Sequence, residues 1–237
     1  MINKQLIPFT LSVPDEVLDD LKQRLNNTRW PDEIPKNNWT YGADLAYLKD
    51  LCSYWATDYD WRSHEATINQ FEQYKTKVSG IDLHFIYEKG KGKNPLPLLL
   101  SHGWPGSTYE FHKIIPMLTD PEAYGGAADD SFTVIAPSLP GYTFSYQPGQ
   151  ERFSVEQIAD AFAKLMKEVL GFDGFVAQGG DWGGFITSRL GFAYPDLLRA
   201  IHLNFLAVRR DPSIVDNPTP EAAVFLEQLN KFLKDET

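Results

Sequence analysis

The sequence predicts an α/β fold, a mostly parallel sheet with helices on both faces, incomplete at its C-terminal end and preceded by a helical N-terminal region. Three features carry the prediction. From Leu96 onward, short apolar runs alternate with amphipathic helical patterns, the order that repeated strand-helix units produce. The run at 96–100 is continuously apolar in character, as strands covered on both faces are. In the first seventy or so residues, apolar side chains recur at helical spacing instead.

Ser12-Val13-Pro14-Asp15 reads as a capping box before Val17, Leu18, Leu21 and Leu25, which define an amphipathic helix. Beyond the proline-bounded stretch at 30–35, a second helix follows through Leu45, Leu48, Leu51 and Trp55, and a third through Trp61, Ile68 and Phe71. The period then changes to two: Ile81, Leu83, Phe85 and Tyr87 alternate with polar residues after Ser79-Gly80, giving an antiparallel hairpin that begins near Gln73. The strand at 96–100 leads into Ser101-His102-Gly103-Trp104-Pro105-Gly106. A helix starts at Ser107, with Glu110 completing a capping box and Phe111, Ile114, Ile115 and Leu118 facing inward. Further strands are expected at 132–136, 175–178 and 200–208. Ser154 caps a helix that Gly171 ends, another helix runs to Tyr194 before Pro195, and a last one spans 219–234 with Val224, Phe225, Leu229 and Phe232 on one face. The expected division is a helical region at 1–72 packed on the core, an incomplete core at 73–212, and the start of a cap or lid at 213–237.

A chain of 237 residues with 43% hydrophobic content can bury a substantial core. Its formal charge of -10 opposes binding to phosphate backbones and anionic membranes, so no nucleic-acid partner is expected. Cys52 is the single cysteine and cannot form an internal disulfide, which fits a reducing compartment. Residues 1–14 lack a basic segment followed by an apolar one, and no run approaches bilayer length. The expectation is a cytoplasmic protein without a membrane anchor, a metal or a cofactor.

Gly179-Gly180-Asp181-Trp182-Gly183 has the form glycine, any residue, nucleophile, any residue, glycine between a strand and a helix, the setting of a nucleophile elbow. The residue displayed is an aspartate. A carboxylate is ionised at neutral pH and attacks an electrophilic saturated carbon without a base, so the chemistry indicated is alkyl transfer rather than acyl transfer. The plainer reading is a turn with an N-cap aspartate. His102-Gly103-Trp104-Pro105 follows the strand expected beside the elbow strand, and its backbone suits an oxyanion hole. The expected donors are the N–H groups of Trp104 and Trp182, with His102, Gly103 and Pro105 supporting the loop and the His102 ring merely ordering it. The indoles of Trp104 and Trp182 are expected to line an apolar pocket. Phe144 and Tyr146 either join that pocket or pack in the core.

The elbow, the His-Gly-Trp-Pro-Gly-Ser loop at 102–107, Ser138-Leu139-Pro140-Gly141-Tyr142 and Ile201-His202-Leu203-Asn204 together resemble the epoxide hydrolases of the microsomal and fungal type, which have the α/β-hydrolase fold. Thr28-Arg29-Trp30-Pro31-Asp32, Asn38-Trp39, Tyr54-Trp55 and Asp60-Trp61-Arg62 resemble the N-terminal domain of that family. The resemblance runs from about residue 13 to 212. It implies epoxide opening by Asp181, hydrolysis of the resulting ester by a histidine-activated water, and protonation of the epoxide oxygen by two cap tyrosines. His64, His84, His102, His112 and His202 all precede the position at which that histidine is expected, and His84 and His202 fall within strands. The chain as given is therefore expected to be inactive or single-turnover, with a small lipophilic epoxide as substrate and a homodimer or a complementing C-terminal chain as partner. A dehalogenase would share the nucleophile but lack the helical N-terminal region, and a non-catalytic binding module is the remaining alternative.

Overall fold

Leu99 and Ile135 point to one face of a sheet while Leu98, Leu100, Val134 and Ala136 point to the other, and all are buried. These are the middle strands of the structure, a computed structural model that describes residues 6–34, 39–206 and 215–235. In chain order the elements are β1 (Ile7–Pro8), α1 (Asp15–Asn26), α2 (Leu45–Thr57), α3 (Trp61–Ile68), β2 (Gln73–Val78), β3 (Ile81–Glu88), β4 (Leu96–Ser101), α4 (Ile114–Thr119), β5 (Phe132–Pro137), α5 (Val155–Lys164), β6 (Phe175–Gly179), α6 (Trp182–Ala193), β7 (Leu198–Leu203) and α7 (Pro220–Asp235). The strands form a single sheet in the order β1-β2-β3-β5-β4-β6-β7. β4 to β7 run parallel, and the β1-β2-β3 edge is antiparallel.

One face of the sheet is covered by α5, the turn directly after it and α6, whose Ile158, Phe162, Leu165, Ile186 and Leu190 pack on Leu83, Phe85, Leu99, Ile135 and Phe175. α5 is sharply amphipathic and held at its start by a complete capping box between Ser154 and Gln157. The opposite face is covered by the segment that includes Phe111 and Ile115 of α4. Ser79 and Gly80 both have positive φ, 49° and 85°, which is what a two-residue turn between right-twisted strands requires.

Several local expectations change. Ser12 caps nothing: α1 begins behind Pro14, because the N–H groups of Leu11 and Val13 are drawn to Asn69 and Glu65 at 2.8 and 2.6 Å and hold that segment extended. Phe71 lies beyond α3 in the smaller core cluster. The helix expected from Ser107 starts instead as a 3₁₀ turn, Thr108–Phe111, and resumes at Ile114, which shifts the phase and leaves Ile114 exposed. After α5 the chain makes a wide π turn, Leu165–Val169, before Gly171 at φ 76° reverses it. The short strand β1 within the N-terminal region was not anticipated. β7 begins at Leu198 and ends at Leu203, where Asn204 turns away from the sheet line. Ala207 and Val208 lie outside the described residues.

Among the described strands β7 is an edge, and its Ile201 and the following Phe205 and Leu206 are exposed. Val224, Phe225 and Phe232 of α7 are exposed as well. No helix of the described residues is long and apolar enough to cross a membrane.

Candidate active site

Ser101 and Gly179 are partners in the parallel register of β4 and β6, so the two chains leave the sheet side by side. The His102-Gly103-Trp104 loop comes directly after Ser101, and the turn containing Asp181 comes directly after Gly179. Parallel pairing thus brings together two motifs that are distant in sequence.

Asp181 has φ 49° and ψ -127°, a conformation that an L residue adopts only under constraint. The constraint is visible in its neighbours. A Cβ on Gly179 would lie 2.1 Å from the Gly183 carbonyl oxygen, and one on Gly183 would lie 1.9 Å from the Ser101 carbonyl oxygen. No side chain fits at either place, so glycine on both sides lets the turn close tightly against β4. The Gly184 N–H then bonds the carbonyl oxygens of Gly180 and Asp181 at 3.1 and 3.0 Å and begins α6.

Trp104 donates its backbone N–H to Asp181 Oδ1 at 2.8 Å. The Trp182 N–H also faces this carboxylate. The two donors hold the Asp181 carboxyl below its ordinary value, outweighing the partial desolvation that acts the other way. Gly103 approaches so closely that a Cβ there would be 2.7 Å from Asp181 Oδ1. The Trp104-Pro105 peptide is cis. His102 is buried; its Nδ1 faces the Gly103 carbonyl oxygen at 2.9 Å, and its Nε2 accepts the Leu139 N–H at 3.0 Å. A neutral ring with the proton on Nδ1 satisfies both contacts, and burial lowers its pKa. The imidazole therefore ties the loop to the end of β5.

A cleft of about 420 Å³ opens beside this pair, lined among others by Trp104, Glu110, Phe111, Gln178, Asp181 and Asn204. Of the predicted pocket residues, Trp104 lines it, but Trp182 turns its ring toward Phe185. Phe144 lines a separate cavity of about 460 Å³ and packs on Phe9 and His84. It is drawn there because Ser145, next to it, is buried and accepts the His84 N–H at 2.9 Å. Tyr146 is exposed and does not line the Asp181 cleft. Tyr142 is the aromatic of that segment closer to the site, packing edge-on against His102 and feeling the Asp181 charge after the larger effect of its own burial.

Sequence reasoning passed over Gln178, Asn204 and any role for Glu110 at the cleft. Asn204 was within reach of it, because the residue that follows β7 emerges on the same side as the one that follows β6. A Cβ on Gly180 would lie 2.1 Å from Asn204 Oδ1. None of the five histidines lines the cleft. His84 is buried between Gln73 and Ser138, His64 and His112 stack on Tyr59 and Tyr109, and His202 lies exposed on β7.

Comparison with known proteins finds two family matches: an "Epoxide hydrolase N terminus" over residues 6–111 and an "alpha/beta hydrolase fold" over residues 97–235. A putative epoxide hydrolase of Stigmatella aurantiaca is 47% identical over 96% of this chain and 51% of its own length. Epoxide hydrolase 1 of Oryctolagus cuniculus is 38% identical over 88% of this chain and 47% of its own. The chain thus spans about half the length of these curated relatives. The solved structure of Aspergillus niger epoxide hydrolase superposes with a TM-score of 0.82 at 33% identity, over 98% of this chain and 60% of that one.

Proposed function

Starting from a chain that belongs to the alpha/beta hydrolase fold family, we propose that it supplies the nucleophile half of an epoxide hydrolase acting on a small lipophilic epoxide. The observation that carries this reading is a carboxylate, not a hydroxyl, at the strained apex of the elbow, with the Trp104 N–H on Oδ1 at 2.8 Å.

In this mechanism Asp181 opens the ring with the oxygen that Trp104 does not hold. A bond forms from that oxygen to an epoxide carbon, the carbon–oxygen bond of the ring breaks, and the released alkoxide takes up a proton from solvent. Oδ1 then becomes the ester carbonyl oxygen. When water attacks the ester carbon, the negative charge of the tetrahedral intermediate develops on Oδ1, where the Trp104 and Trp182 N–H groups already point. Collapse of the intermediate breaks the bond from the Asp181 carboxyl carbon to the alkyl oxygen, a proton equivalent to the one given up by the attacking water goes to that oxygen, and the diol is released. The two donors lower the basicity of Asp181 in the first step and stabilise charge in the second, so they favour ester hydrolysis over the resting carboxylate.

The relatives' names support the epoxide as substrate class, and one cysteine in an acidic chain supports a cytoplasmic setting. The exposed apolar residues near β7 and on α7 support a second copy or a complementing chain as partner. The test is intact mass after incubation with a lipophilic epoxide. The reading predicts one adduct per chain and none in Asp181→Asn; an equal adduct in Asp181→Asn defeats it.

A further inference from the structure

Glu110 takes no part in the mechanism above, yet its carboxylate fills the inside of the loop whose outside faces Asp181. Burial pushes its carboxyl pKa up, and the backbone N–H groups of Gly103 and Ser107, which face it, oppose that push. A Cβ on Gly106 would stand 1.5 Å from Glu110 Oε1, and one on Gly103 would stand 2.7 Å from Asp181 Oδ1. Residues 103–106 are thus gripped between two carboxylates. The Gly106 N–H closes the turn on the Gly103 carbonyl oxygen at 3.0 Å, and the Glu110 N–H returns to the Ser107 carbonyl oxygen at 3.1 Å. Phe111, the next residue, is buried and fixes the turn that carries Glu110.

The sign of its charge narrows what Glu110 does. A negative group facing the place where an oxyanion develops opposes that charge, so its field does not assist the chemistry. What it offers is geometry. Gly103 and Trp104 are adjacent, and their N–H groups serve opposite sides of the loop, Gly103 inward to Glu110 and Trp104 outward to Asp181. Fixing the first peptide sets the direction of the second. We infer that Glu110 is a positioning residue that aims the Trp104 N–H at Asp181, an inference that depends on the nucleophile reading only for its catalytic consequence.

The test is a carbon-13 NMR titration of the Asp181 side-chain carboxyl in the full chain, compared with Glu110→Asp and Glu110→Gln. Glu110→Asp keeps the carboxyl group but is one methylene short. It is expected to loosen the Trp104 donor and raise the Asp181 pKa by about half a unit or more. Glu110→Gln keeps an acceptor oxygen at full reach, so it is expected not to raise it. If Glu110→Asp leaves Asp181 unchanged, with or without a downward shift in Glu110→Gln, the positioning role is overturned. Should Glu110→Asp fail to fold, Gly106→Ala, which drives a methyl group into Glu110, replaces it; an upward shift supports the inference and an unchanged value overturns it. The titration does not depend on adduct formation. An Asp181 that never takes up an epoxide would defeat the proposed function and leave this result to stand by itself.

Discussion

Trp104 and Asp181 lie 77 positions apart in sequence, and the backbone N–H of the first sits 2.8 Å from Oδ1 of the second. That contact arises from parallel pairing of β4 with β6, which starts the two loops level with each other at Ser101 and Gly179. It also determines how the site responds to acid.

The ionised form of Asp181 binds the Trp104 and Trp182 N–H groups better than the neutral acid does, which places its folded pKa below the ordinary 3.8. A depressed carboxyl contributes stability that is present above the unfolded value and lost as pH falls through the folded one. Alkylation by an epoxide should therefore keep its neutral-pH rate down to about pH 4, wherever the fold persists, and decline below that. An acid limb with its midpoint above pH 5, about one unit over the ordinary aspartate value, would contradict this.

Gly183 is packed with its α carbon against β4, and a Cβ there would meet the Ser101 carbonyl oxygen at 1.9 Å. Gly183→Ala should force the elbow away from β4 and destabilise the fold by about 1–3 kcal/mol. The check is the urea midpoint at unchanged slope, and a variant as stable as the parent would mean that the turn tolerates a side chain.

His84 is fully buried, with Nδ1 2.9 Å from Ser138 Oγ and Nε2 3.0 Å from Gln73 Oε1, and burial pushes its pKa down to about 3. Since the unfolded value is near 6.5, the chain should lose stability as pH falls from there toward about 3, at up to about 1.4 kcal/mol per unit from this residue. His84→Leu should remove that share of the slope and also cost about 1–3 kcal/mol at pH 7, because Gln73 and Ser138 lose their partner. Equal slopes for the two proteins between pH 4 and 6, by about 0.3 kcal/mol per unit or better, would count against a neutral buried ring.

Tyr194 donates its hydroxyl to Asp160 Oδ1 at 2.7 Å, joining the end of α6 to α5, and this bond is the main reason its pKa is pushed up to about 12. A raised phenol contributes stability that is complete below the unfolded value of 10 and is lost as pH rises through the folded one. Tyr194→Phe should cost about 1 kcal/mol at neutral pH, and the difference from the parent should shrink between pH 10 and 12, as thermal unfolding would show.

Much of this was legible in the sequence wherever local pattern and local physics coincide. Leu98, Leu99 and Leu100 read as a doubly covered strand because both faces of β4 meet apolar layers. The glycines around Asp181 read as an elbow because no other residue fits. Patterns decided by distant partners were harder to read. Ser12 looked like a cap, but Glu65 and Asn69, more than fifty residues on, claim the backbone that a cap needs. Phe144 was drawn to His84 and Phe9 by an adjacent serine whose bond no spacing reveals. β1 is only two residues long and carries no alternation to detect. Glu110 read as part of a capping box, but the Ser107 hydroxyl accepts the Tyr109 N–H at 3.2 Å instead, and only the fold shows the Glu110 carboxylate against Gly106, behind the Asp181 contact.

The proposed chemistry turns on the Asp181 carboxylate as the group that attacks. Peptide mapping of the chain after exposure to a lipophilic epoxide tests it most directly. A single ester-linked adduct is expected on the peptide containing Asp181, released by mild base. An adduct confined to other residues, such as Cys52 or an exposed histidine, with Asp181 unmodified, would contradict it.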